Sequence, residues 1–138
     1  MRFMILVRAT PESEAGVVPD GSALEATAGW HQRLAEAGML VDAAGLRPSA
    51  AGWRVHYAGD RRTLVEGPFA DSTGLAAGYT IIRADSREEA LEWIRCWPHP
   101  AGPGRDAVVE VRQLYELDDL VPDGALEQGG ALEASWLR

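Results

Sequence analysis

The chain has 138 residues, 46% of them hydrophobic and 25% charged, a balance that suits one globular domain long enough to bury a core. Its 13 basic residues are all arginine, and against 21 acidic residues they leave a formal charge of −8. The sequence has no lysine, no asparagine and a single cysteine, Cys96. This excludes Schiff-base lysine chemistry, a P-loop lysine, a catalytic asparagine, an intrachain disulfide and a multi-cysteine zinc site, and it argues against a nucleic-acid partner.

Residues 2–9 read as a strand that ends at Thr10-Pro11. Its apolar run, Phe3 to Val7, is too short for a signal peptide or a membrane span, so a cytoplasmic protein with no membrane partner is expected. Residues 12–21 read as a loop. Ser22 and Glu25 have the spacing of a capping box, and Leu24, Ala28, His31, Leu34 and Ala35 repeat at helical intervals until Gly38. Residues 39–46 read as a second strand. Trp53 to Tyr57 alternates, Ala58-Gly59-Asp60 is turn chemistry, and Thr63 to Val65 returns as the partner of a hairpin.

Residues 78–84 form a β-branched strand, Ser86 and Glu89 a second capping box, and Ala90, Leu91, Ile94 and Trp97 an apolar stripe. Residues 107–115 are the last strand. The order β-α-β-(hairpin)-β-α-β matches an α+β, ferredoxin-like arrangement with both helices on one sheet face. The domain is expected over 1–116, with 117–138 a tail able to form a short helix carrying Leu132, Trp136 and Leu137 that docks on a partner. Because strand neighbours alternate, Ile5, Val7, Ile81, Val109 and Val111 are not expected to share the helix face, and an apolar open face implies a sheet-to-sheet homodimer.

Several stretches resemble the YCII-related family and, within it, the DGPF-domain subgroup. They are the opening Arg2 to Ala9, Ala37-Gly38-Met39-Leu40, Gly45-Leu46-Arg47-Pro48-Ser49, Glu66-Gly67-Pro68-Phe69-Ala70, Ser86 to Trp93 and Glu110 to Glu116. The resemblance implies a dimeric α/β-barrel relative with a ferredoxin-like protomer and a pocket between helices and sheet. Its wider superfamily includes cofactor-free monooxygenases and lactone isomerases, and a His–Asp pair has been proposed for YCII members. This chain has Glu66 where the subgroup usually has aspartate, Asp71-Ser72-Thr73-Gly74 where it usually has Glu-Thr-Lys-Glu, and Trp30-His31 where relatives often carry Tyr-Asn.

His31 lies on the stripe of the first helix that must face the sheet, which suits either a hydrogen-bonded core histidine or a general acid/base. Glu66 and Asp71, flanking the rigid Gly-Pro-Phe turn, are the carboxylates available to orient it. Trp30, Tyr79 and Phe69 are candidate apolar walls, and Arg8 and Arg47 candidate anion holders, with salt bridges as their plainer use. His31, His56 and His99 are too dispersed for a metal site, so neither metal nor cofactor is expected. The function expected is cofactor-free proton transfer (isomerisation, elimination or cyclisation) on a small organic substrate. The alternative is a non-catalytic ligand-binding or accessory protein.

Overall fold

Strand β1 (Arg2–Arg8) opens a four-stranded sheet in the computed structural model, which describes residues 1–71 and 74–120. The chain continues through α1 (Pro11–Glu14), α2 (Gly21–Glu36), β2 (Leu40–Gly45) and a 3₁₀ turn (Ser49–Ala51). The hairpin of β3 (Trp53–Ala58) and β4 (Arg61–Glu66) follows, then β5 (Ala76–Arg83), α3 (Arg87–Arg95), β6 (Val109–Gln113) and α4 (Leu117–Leu120). The sheet runs β2-β5-β1-β6 with every neighbouring pair antiparallel, while β3 and β4 form their own two-stranded sheet. This is the ferredoxin-like strand order, with the hairpin as an insert. The expected tail helix lies outside the described residues.

Two local readings are corrected. Residues 12–21 are not all loop: Thr10 caps α1, its Oγ1 accepting from Ser13 N–H at 3.1 Å while Ser13 Oγ accepts from Thr10 N–H at 2.8 Å. A Thr-Pro pair that ends a strand also starts a helix well, because proline at the first turn has no N–H to leave unpaired. For α2 the cap is Asp20 rather than Ser22, its Oδ1 accepting from Ala23 N–H at 2.9 Å. Ser86 caps α3 as expected, accepting from Glu89 N–H at 3.1 Å.

The cross-strand register decides which side chains meet the helices. Ile5 pairs with Thr80 and Val111, and Val7 with Gly78 and Val109, so these share one face. Thus the five do not all share the helix face, as expected: Ile5, Val7, Val109 and Val111 lie on it, and Ile81, paired with Met4, faces away. The open face carries Met4, Leu6 and Ile81 among Arg2, Arg8, Arg83, Glu110 and Arg112. It is mixed, because β1 and β5 place arginines at its margins.

The core lies under α2 and α3. Phe3, Ile5, Trp30, Leu34, Ile82 and Trp97 are its large members, with Trp30, Ile5, Leu34 and Ile82 fully buried. Trp30 stacks on Trp97 with ring centroids 4.6 Å apart, and its Nε1–H donates to the Trp93 carbonyl at 2.8 Å. One side chain therefore fastens α2 to the end of α3.

Candidate small-molecule site

Along α2, Ala23, Trp30 and Leu34 point into the core, while Leu24, Thr27 and His31 form the adjacent stripe. That second stripe roofs a cavity of about 560 Å³. Its floor is made by strand positions with small side chains on the helix face. Val7, Gly78 and Gly45 lie in one cross-strand row; a Cβ on Gly45 would meet nothing within 4 Å, whereas one on Gly78 would press on the backbone of β2. The segment after α1, Gly16 to Pro19, and Trp97 complete its walls.

His31 Nε2 is 2.7 Å from Thr80 Oγ1. Thr80 is a buried polar residue on β5, two residues beyond Gly78, so the sheet positions the imidazole over the cavity floor. Burial lowers the His31 pKa from its ordinary value of 6.5, which favours the neutral ring at neutral pH. Among the described residues Thr80 is the ring's one hydrogen-bond partner, leaving Nδ1 for a ligand.

The other candidate residues are distributed differently. Trp30, expected as a pocket wall, is core: it has no solvent exposure and does not line the cavity, and Trp97 takes that place. Successive helix residues differ by about 100°, so Trp30 turns into the core and His31 to the cavity beside it, their ring centroids 5.3 Å apart. Tyr79 reaches the cavity from β5, but its phenol is turned to the open face, where it donates to Asp42 Oδ2 at 3.0 Å. Asp42 raises the phenol's pKa, first through that hydrogen bond.

Glu66 and Asp71 are exposed and line neither this cavity nor its smaller neighbour, so the residue at the His31 ring is Thr80. Arg8 faces Glu110 at 3.9 Å on the open face. Arg47 and Phe69 line a second cavity of about 360 Å³, which meets the first at Leu46 and Pro48.

The Gly-Pro-Phe turn is a fastening. A Cβ on Gly67 would lie 1.7 Å from the Ser49 carbonyl oxygen, so no larger residue fits without moving backbone. Phe69 N–H donates to Ser49 Oγ at 3.0 Å, and the Arg54 guanidinium sits 4.0 Å over the Phe69 ring. Ser49 in turn gives its N–H to Glu14 Oε1 at 2.9 Å and its hydroxyl to Glu14 Oε2. These bonds hold the Glu14 carboxyl below its usual range, the hydroxyl contributing most. Sequence reasoning missed Glu14 and Ser49, and also Thr80; the apolar Val17-Val18-Pro19 run was the available sign that the loop after α1 walls a pocket. Among the described residues no cluster of three histidine, cysteine or acidic groups could hold a metal ion, and no helix is long and apolar enough to cross a membrane.

A two-layer α+β domain with one hollow end and a histidine over it is the class that fold and site define. The chain belongs to the YCII-related domain family, which matches residues 1–118. No curated protein matches it.

Proposed function

We propose that this protein binds a small organic molecule in the cavity beneath α2 and catalyses a cofactor-free proton transfer on it, with His31 as the acid/base. The observation that carries the reading is an imidazole held by Thr80 at the wall of a largely apolar cavity, where burial favours its neutral form. A neutral ring can take a proton from an acidic C–H or O–H of the bound molecule. Returning it to a different atom gives an isomerisation, and loss of a leaving group before its return gives an elimination. Thr80, rather than Glu66 or Asp71, fixes the ring plane. The working assembly is a homodimer that covers Met4, Leu6 and Ile81 on the open sheet face, and light scattering that finds a stable monomer at micromolar concentration would remove that part.

A non-catalytic ligand-binding role is the second reading. It is favoured by the hydroxyl, rather than a carboxylate, at His31, because a carboxylate would stabilise the imidazolium formed during turnover. To separate the two, the protein is exposed to a metabolite mixture and the retained compound identified by native mass spectrometry. Its conversion is then followed with wild type and His31→Gln. Catalysis by His31 predicts a loss of about 10²–10⁴ in rate with the fold intact. Unaltered turnover rules that role out, and retention without conversion supports the binding role.

A further inference from the structure

We infer that the ligand of the α2 cavity is an electrically neutral, largely apolar ring compound that presents a single polar group to His31. This rests on the cavity being the binding site. A quarter of the chain's residues are charged, yet among the described residues lining this cavity none is. The walls are apolar at Val7, Val18, Leu24, Leu46 and Trp97.

Its side-chain hydroxyls are already engaged. Ser13 Oγ bonds the backbone of Thr10, Thr27 Oγ1 accepts from Trp97 Nε1–H at 3.0 Å, and Thr80 Oγ1 meets His31 at 2.7 Å. The imidazole is therefore the lining side chain placed to exchange a proton with the ligand, while Thr27, which accepts from Trp97, keeps an O–H to donate. A carboxylate or phosphate placed here would give up its hydration with no counter-ion among the described lining residues but His31, whose charged form burial disfavours. Neither expected anion holder compensates: Arg8 pairs with Glu110 on the opposite sheet face, and Arg47 belongs to the neighbouring cavity. A volume of about 560 Å³ suits a molecule of several rings. A phenol, enol or ketone on such a skeleton has both the hydrogen bond and the acidic proton that a neutral histidine can use.

The test compares probes that share a ring skeleton and carry a neutral or an anionic polar group: 4-phenylphenol with biphenyl-4-carboxylate, and 2-naphthol with 2-naphthoate. Binding is measured by titration calorimetry near neutral pH at an ionic strength of about 0.5 M, so that the overall acidity of the chain is screened. Leu24→Trp and Val18→Trp, at exposed wall positions outside the core, fill the cavity, and circular dichroism verifies their fold. The phenols are expected to bind at least about tenfold more tightly than their carboxylates, and the filling variants to weaken them by a similar factor. Carboxylates binding equally or better, with that binding lost in the filling variants, overturn the neutral class while leaving the site in place. No binding of any probe at millimolar concentration overturns the site and the inference together, and phenol binding unchanged in the filling variants places the probes elsewhere and also overturns it.

Discussion

The layer between α2 and the sheet has two ends built on opposite plans. One is filled by Trp30 over Phe3, Ile5 and Ile82, with Trp97 stacked on it as the wall between the two ends. The other is hollow over Val7, Gly78 and Gly45, with His31 and Thr80 at its edge. The same helix and the same strands serve both, so the difference comes from side-chain volume at successive positions. A protein interior closes wherever it can, and an open space this size persists where the strands supply Gly45 and Gly78 beneath Leu24, Thr27 and His31. Stability is expected to concentrate at the packed end, and the proposed binding at the hollow one.

Substitutions at the two ends should separate those roles. Trp30→Ala removes the largest fully buried side chain, and a loss of about 3–5 kcal/mol in urea denaturation is expected. Gly78→Ala is intermediate: its Cβ would lie 3.1 Å from the Ala44 carbonyl oxygen, so β2 must shift, costing about 1–3 kcal/mol. Gly45→Val should change stability by no more than about 0.5 kcal/mol, because nothing lies within 4 Å of the new Cβ. It should nevertheless reduce occupancy of the cavity, measured as weaker binding of 4-phenylphenol. Equal destabilisation at Trp30 and Gly45 would erase the distinction between the ends.

The smallest effect concerns pH. Burial lowers the His31 pKa in the folded state, so below the ordinary value of 6.5 the unfolded chain binds the proton more readily. Stability contributed by the neutral ring is complete above that value and declines as pH falls toward the folded-state pKa. His31→Gln keeps a polar group for Thr80 and cannot titrate. Its melting temperature should therefore fall less than that of wild type as the pH is lowered through this window. Parallel curves for the two proteins would show that His31 is not shielded.

Much of the fold was legible because periodicity carries it. The alternation of β3, the apolar runs of β1 and β5 and the stripe of α2 each gave the right element, and Gly38, with φ of 73°, closes α2 where it should. Short-range competition hid the rest: Ser22 offered a cap that Asp20 takes, and four residues are too few for α1 to show a period. At the site, helical spacing placed His31 on an inward stripe. Its partner Thr80 is 49 residues away and is brought there by the docking of α2 on β5, which no local pattern encodes. The choice between the faces for Tyr79 depended on the register of β5 for the same reason. Glu66 and Asp71 drew attention through a rigid turn, whose glycine and phenylalanine are occupied with Ser49 and Arg54.

The most direct measurement follows the imidazole resonances by NMR, which the presence of only three histidines makes tractable. Signals are assigned with His31→Gln and titrated with and without 4-phenylphenol. A His31 pKa below 6.5 is expected, together with a ligand-dependent shift at His31 that exceeds any at His56 or His99. A His31 signal that titrates at 6.5 or above, or stays unchanged while the probe binds, would contradict a neutral histidine at the working end of the cavity.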